Sequence, residues 1–304
     1  MKNALLIFLI SFWKILVFFP IGFQKLISTA LGYLIICLPL KRNRISRANI
    51  YLCFKNLNQQ DKDKIYRKNI FSFARVIFDT GIAWFWSDKK IKKNICFEIN
   101  GLKNLLINQR SENGTLLFFK HSLHLELDAR ILAMHAEIYG IQRAHNSKMF
   151  ESIQRSGRLK SMKGITDRNN TLAFMRWLKQ GKTVLYAPDQ DYGLNKSVEV
   201  NFFGIPAATI SAPLKIIEKT GCKTYFINSY YNKDRLILDI KKINIDQSSV
   251  EKFSENLNLI IENKIKLHPH EYLWQHRRFK STLGKTKLYR LSLIHISEPT
   301  RHAS

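Results

Sequence analysis

From Thr115 to Leu267 short apolar runs alternate with stretches of helical apolar period, and this alternation restricts the fold more than any other feature. Residues 115–120, 139–143, 183–187, 223–230 and 235–244 read as strands. Residues 125–137, 148–158, 170–180, 208–220 and 249–267 read as helices. Gly181 and Gly221 close two of them. Strands separated by helices pair side by side with the helices on their faces. The expected class is therefore α/β: an αβα sandwich around a mixed, largely parallel sheet. Upstream, residues 47–54 and 60–86 read as helices, the longer one with apolar Ile65, Ile70, Phe73, Val76, Ile77 and Ile82.

The N-terminus sets a second constraint. Residues 4–19 are apolar except for Ser11 and Lys14, and residues 26–40 are apolar or small throughout. Pro20, Gln24 and Lys25 lie between them. A spanning helix needs about 20 apolar residues, and neither half reaches that alone. Residues 1–40 read as an N-terminal membrane-anchoring helical segment, either one tilted span with an interfacial helix or a shallow hairpin. A cleaved signal peptide is the rival reading, and nothing downstream looks secreted. Lys41, Arg42, Arg44 and Arg47 follow at once against Lys2 before, a bias that places the bulk of the chain in the cytoplasm. Residues 41–290 then form one domain. Residues 291–301, LSLIHISEPTR, resemble the translation of a sequencing adapter. Residues 291–304 are set aside as an assembly artefact, His295 and His302 with them.

Charge narrows the partners. The formal net charge is +26, from 49 Lys+Arg against 23 Asp+Glu, so the surface seeks anions. No zinc-finger spacing or RNP-like motif points to nucleic acid, which leaves anionic lipid or an acidic protein. A compositional bias toward Lys, Asn and Ile accounts for part of the excess. The four cysteines form no CxxC pair and no metal cluster, as suits a reducing compartment.

Four places could carry chemistry. In FFKHSLHLELDAR, Phe118–Arg130, a strand leads through Lys120 to His121, and Glu126 follows four residues later. With His121 in the loop and Glu126 in the first helical turn, a carboxylate can orient an imidazole that takes a proton from a hydroxyl. His124 and Asp128, an i,i+4 pair, form a rival dyad that spacing leaves open. In YAPDQDYG, Tyr186–Gly193, Asp189, Asp191 and Tyr192 follow a strand end, where α/β folds place their sites. A solvated turn uses the same residues. Arg168 precedes a helix and offers a guanidinium for a phosphate or an oxyanion. Arg277 and Arg278, in YLWQHRRFK, make a basic, aromatic edge for headgroups, or a helix face with snorkelling cations.

Together these motifs resemble the bacterial lipid A biosynthesis late acyltransferases, particularly the lauroyl-transferring type. GIAWFW (Gly81–Trp86), H-x4-E with LELxAR, KQGKTVLYAPDQDYG (Lys179–Gly193), PAAT (Pro206–Thr209) and WQHRRFK (Trp274–Lys280) occur in order behind an apolar N-terminus. The resemblance covers most of the chain, from about Arg47 to Lys280. It implies an acyltransferase-type fold at the cytoplasmic face of the inner membrane. Acyl–acyl carrier protein would be co-substrate, with no cofactor or metal, and a Kdo-bearing lipid A precursor the acceptor. His121 falls on the family's catalytic histidine and Glu126 on its acidic partner; Asp191 and Arg168 fall on positions expected in the site. Asp128 departs from the pattern, since the lauroyl type usually has a small neutral residue there. Rival functions are acyl transfer to a lysophospholipid or another glycolipid, and a non-catalytic membrane-attached lipid-binding protein.

Overall fold

A computed structural model describes residues 2–109, 113–284 and 287–290; the adapter-like residues 291–304 lie outside the described residues. The chain opens with helices α1 (Lys2–Phe18), α2 (Ile21–Cys37), α3 (Lys41–Cys53), α4 (Gln59–Phe85) and α5 (Asp88–Asn94). Strands and helices then alternate: β1 (Phe97–Asn100), α6 (Leu102–Gln109), β2 (Thr115–Phe119), α7 (Leu125–Ala133), β3 (Ile138–Gln142), α8 (Lys148–Arg158), β4 (Gly164–Asp167), α9 (Thr171–Lys179) and β5 (Thr183–Tyr186). The remainder is β6 (Ser197–Phe202), β7 (Ile205–Ile210), α10 (Ala212–Thr220), β8 (Lys223–Asn232), β9 (Arg235–Lys242), α11 (Val250–Leu267) and α12 (Lys287–Arg290).

These elements form two compact units between which the chain passes repeatedly. The first takes the described part of Met1–Leu31, then Ala74–Ala187 and Ile216–Asn244. It holds a seven-stranded sheet of order β1-β9-β8-β2-β5-β3-β4. All neighbouring pairs are parallel except β8 and β9, a hairpin turned at Lys233 with φ 54°. The sheet is thus mixed and mostly parallel, and the class is α/β. In the middle, Leu116, Leu117 and Phe118 of β2 are fully buried, so both faces of this strand are covered. An unbroken apolar run has no solvent face to offer and belongs at the centre. The edge strands β1 and β4 are four residues each, with partly exposed side chains, and carry no such signal.

The second unit takes Gly32–Phe73, Pro188–Lys215 and the described part of Ile245–Ser304. Its β6–β7 hairpin turns through Phe203 and Gly204, both with positive φ, as a two-residue hairpin loop requires. Helix α11 lays Phe253, Leu257, Ile261 and Ile265, one turn apart, into this unit, and Ser249 caps it through a bond from Lys252 N to Oγ (3.1 Å). Here one expectation is corrected. Residues 208–220 read as a helix, yet 205–210 form β7 and the helix starts at Ala212. Pro213, in the first turn, marks that start, while Pro206 sits at the strand's beginning, where a missing N–H is tolerated.

Helix α1 explains why the apolar N-terminus is paired with GIAWFW. Val17 is fully buried, and Trp13 Nε1 donates to Ile77 O at 2.8 Å. Trp86 Nε1 donates to Val17 O at 3.0 Å, and the Gln24 amide to Val17 O and Phe19 O (2.7 and 2.8 Å) across the break at Pro20. Helix α4 admits this contact at Gly81, where an added Cβ would lie 2.3 Å from Val17 Cγ2. Away from this stripe α1 is apolar and exposed at Leu5, Phe8, Leu9, Phe12 and Ile15. Among the described residues no single helix is long and apolar enough to cross a membrane; α2 and α3 pass that test only together, bent by 83° at their break. Gly81→Val should separate α1 from α4. The expected cost is about 1–3 kcal/mol, read as a lower thermal midpoint of the full chain in detergent. An unchanged midpoint would mean that α1 does not dock there.

Candidate active site

The C-terminal ends of β2, β3, β4 and β5 lie on one edge of the sheet, because these strands run parallel. Ligand sites of open α/β sheets form at such an edge. Residues 120–124 link the end of β2 to α7, so His121 is presented there by the most buried strand.

This loop is held on both sides of His121. Lys120 is 1% exposed, and its Nζ donates to Asn228 Oδ1 (3.0 Å) and Ser229 O (2.7 Å) on β8. A buried ammonium needs such partners. Ser122 Oγ donates to Asp128 Oδ2 (2.7 Å), which also accepts from Ser229 Oγ (2.6 Å). His124 Nδ1 lies 2.7 Å from Asp128 Oδ1, and since a carboxylate only accepts, this nitrogen carries the proton. The rival dyad of the sequence therefore exists, but His124 and Asp128 are 3% and 4% exposed. Beyond His124 the Tyr231 ring stands edge-on at 5.1 Å, and Arg75 lies over that ring at 4.1 Å while bonding Asp79 (3.2 Å). Burial pushes the Asp79 carboxyl up, against Arg75 and His124, which lower it. His121, by contrast, is half-buried, with the Phe119 ring 6.2 Å away.

Glu126 is placed differently from what its spacing implied. The reading has its carboxylate reaching back toward the imidazole. In the structure Oε2 accepts from Trp84 Nε1 (2.8 Å) and Arg158 Nε (3.1 Å), and Oε1 from Arg158 Nη2. Burial pushes this carboxyl up. The Arg158 charge, with the bonds from Arg158 and Trp84, outweighs burial and holds it below the ordinary glutamate value. Arg158 also donates to Gln142 Oε1 (2.8 Å) at the end of β3. It reaches Glu126 because Gly157, beside it, lets α8 close on Trp84: a Cβ there would stand 2.6 Å from Trp84 Cβ. Arg158 and Trp84 were not among the residues singled out for chemistry. Trp84 lay within GIAWFW, and Arg158 had no signal beyond an arginine in a helix's last turn.

A small, partly open pocket lies beside the loop. Phe119, Leu125, Ala129, Leu132, Leu185 and Ile227 make it apolar, with Asp128 and Ser229 at its polar end. Arg168 is exposed at the end of β4, three strands from β2. At about 4.8 Å per strand that is roughly 14 Å across the sheet. Its backbone N–H donates to Gln142 O at 2.7 Å.

The other candidates belong to the second unit. Asp191 is buried. Its Oδ1 accepts from Gly193 N (2.9 Å) and Ser281 Oγ (2.7 Å), its Oδ2 from Ser281 N (2.9 Å), and its carbonyl from Lys280 Nζ (2.8 Å). Arg278, 2% exposed, donates to Ala208 O (2.6 Å) and Thr209 Oγ1 (2.8 Å) and lies over the Phe202 ring. Burial lowers its pKa, opposed by Tyr272, Asp189 and Asp191. DQDYG, PAAT and WQHRRFK are thereby bonded to one another inside this unit. Asp189 is fully buried, its carbonyl 3.4 Å from Tyr272 Oη. Tyr192 and Arg277 are half-buried, with Arg277 5.9 Å from the Tyr289 ring.

Arg158→Gln should cost about 2–3 kcal/mol near neutral pH, because the charge-assisted bonds to a mostly buried carboxylate are lost. Glu126 titrates below its unfolded value in the native chain. Its ion pair therefore stabilises above the unfolded pKa, and that contribution is lost as pH falls through the folded one. The difference in thermal midpoint between native and variant chains should shrink on acidification below the carboxylate range; a gap that stays constant would contradict this pairing.

Comparison with known proteins agrees with the family that the motifs resemble. Residues 1–281 match the family described as bacterial lipid A biosynthesis acyltransferase. The chain is 32% identical over 257 residues to the lipid A biosynthesis palmitoleoyltransferase of Escherichia coli K12, covering 82% of each chain. It is 31% identical over 260 residues to the lauroyltransferase of the same organism, covering 84% of each. A lipid A biosynthesis acyltransferase of Haemophilus influenzae is 30% identical over 280 residues, 90% of this chain and 89% of that one. An α/β fold, a histidine loop at the strand ends and a match across nearly the whole chain lead to one conclusion: the chain belongs to the bacterial lipid A biosynthesis acyltransferase family.

Proposed function

We propose that this lipid A acyltransferase moves a lauroyl chain from acyl–acyl carrier protein to the 3-hydroxyl of an acyl chain on the Kdo-bearing lipid A precursor. His121 is the general base. The observation that carries this reading is the contrast between two histidines of one loop: His121 is half-buried at the sheet's ligand-binding edge, whereas His124 is sealed beneath it with both neighbours of Asp128 bonded. A base must reach the proton it takes.

His121 removes the hydroxyl proton as the acceptor oxygen attacks the thioester carbonyl. The C–S bond then breaks, and the carrier's thiolate leaves and takes a proton. Glu126, kept ionised by Arg158 and Trp84, supplies the negative charge that favours the imidazolium. Catalytic hydrogen bonds often tighten only when substrate is bound. The apolar side chains that line the small pocket beside the loop, Phe119, Leu125 and Ile227 among them, supply part of the surface along which the acyl chain lies. Exposed Arg168 suits a phosphate of the acceptor better than an oxyanion at His121, because it starts at the far edge of the sheet. Half-buried Tyr192 and Arg277 are retained as candidates for substrate binding, and buried Asp189, Asp191 and Arg278 as the frame of their own unit. The exposed apolar side of α1, followed after α2 by Lys41, Arg42 and Arg44, suits attachment to the inner membrane with the catalytic unit on the cytoplasmic side. Relatives named for lauroyl and palmitoleoyl transfer are similar to nearly the same degree, so the mass of the product assigns the chain.

His121→Ala should lower transfer about 10²–10⁴-fold with the fold retained, measured by mass spectrometry of the lipid product. His124→Ala should instead lower the thermal midpoint and keep more activity than His121→Ala. The reverse order of activities would overturn the assignment. The net charge of +26 also predicts that the KM for the acidic carrier rises with salt; a KM flat from low to high ionic strength would count against that donor.

A further inference from the structure

We infer that α1 is a positioning element of the active site as well as an anchor: Trp13 fixes the Trp84 indole and, through it, Glu126. The inference rests on the reading of Glu126 given above. Trp84 is buried, and its N–H aims at Glu126 Oε2 at 2.8 Å. A hydrogen bond from an indole is only as well directed as the ring plane. Two helices set that plane. On one side α8 contributes Gly157 against the indole's Cβ and Cγ, and the Phe150 ring at 5.8 Å. On the other side α1 contributes Trp13, edge-on at 5.6 Å and 70°.

Trp13 is itself immobilised. Its N–H is bonded to Ile77 O at 2.8 Å, and its ring meets Phe85 edge-on at 5.0 Å. Gly81 lets α1 come this close. The contacts thus run unbroken from the apolar helix to the carboxylate: Trp13, Trp84, Glu126. Removing the Trp13 ring opens one side of the indole. The ring can then turn its N–H away, and Glu126 is left with Arg158 alone. Misplacement by about 1 Å in a supporting group can cost on the order of 10²-fold in rate. A partial loss of direction should cost about tenfold.

This differs from an anchoring role, which would act on encounter with the lipid acceptor and the same in any site background. The test is a double-mutant cycle on the full chain in detergent micelles, with acyl–acyl carrier protein and the Kdo-bearing precursor, product read by mass spectrometry. Trp13→Leu should lower kcat about tenfold, with the KM for either substrate within about twofold. Trp13→Phe, which restores a ring edge, should return kcat to within about threefold. In a Glu126→Gln background Trp13→Leu should cause no further loss. Equal losses in both backgrounds, a loss in KM rather than kcat, or no loss in the native background would overturn the inference. Full activity of Glu126→Gln would overturn the reading of Glu126 and the coupling with it. If Trp13→Leu does not fold, Trp13→Met takes its place in the cycle, with the same outcomes deciding.

Discussion

The pairing of Glu126 with Arg158 and Trp84 is the interaction on which the first unit's site is arranged. A carboxylate removed from water is costly unless its charge is matched and its oxygens bonded. Here three donors from two helices meet both oxygens, and the carboxyl stays below its ordinary pKa despite burial. That demand reaches far along the chain. It needs Gly157, so that α8 can approach Trp84. It needs Trp84 oriented, which brings in Phe150 and Trp13. It needs Gly81, so that α1 can lie against α4. A helix that reads as a lipid anchor is in this way built into the walls of a catalytic unit.

A second layer of buried polar groups steadies the histidine loop. Lys120 and Ser122, on either side of His121, are both tied to Ser229, one directly through its carbonyl and one through Asp128. Asp128 was the position at which the sequence departed from the resemblance. Its carboxylate accepts from two hydroxyls and a ring nitrogen, and it replaces whatever a small neutral residue leaves open there. The His124–Asp128 pair is a buried brace under the loop that carries His121.

The sequence disclosed the parts of this structure that depend on local pattern. The apolar run of β2 was legible as a strand, and alternation of strands with helices required a mostly parallel sheet; the central place of β2 is known from the structure alone. The strands β1 and β4 were missed because four residues at a sheet edge are too few to show a pattern, and β7 because its apolar run continues into α10. The i,i+4 geometry of His124 and Asp128 was legible, since one helical turn sets it. Arg158 was not, because it meets Glu126 across 32 residues of chain and only the packing at Gly157 brings them together. The motifs in the second unit teach something different. DQDYG, PAAT and WQHRRFK carried the resemblance strongly, yet Asp191 and Arg278 are spent on bonding those segments to each other. A motif can mark a family through its frame as much as through its chemistry.

Membership of the lipid A acyltransferase family fixes the class of reaction, and the roles proposed for His121 and Glu126 follow from the geometry around them. The claim that joins the two is direct transfer to a hydroxyl of the lipid A precursor. It is tested most directly by supplying one acyl–acyl carrier protein with either the Kdo-bearing precursor or lysophosphatidic acid and weighing the products by mass spectrometry. The account predicts one added acyl group on the precursor, in ester linkage to a 3-hydroxyacyl chain, and none on lysophosphatidic acid. Acylation of lysophosphatidic acid at an equal or greater rate would contradict it.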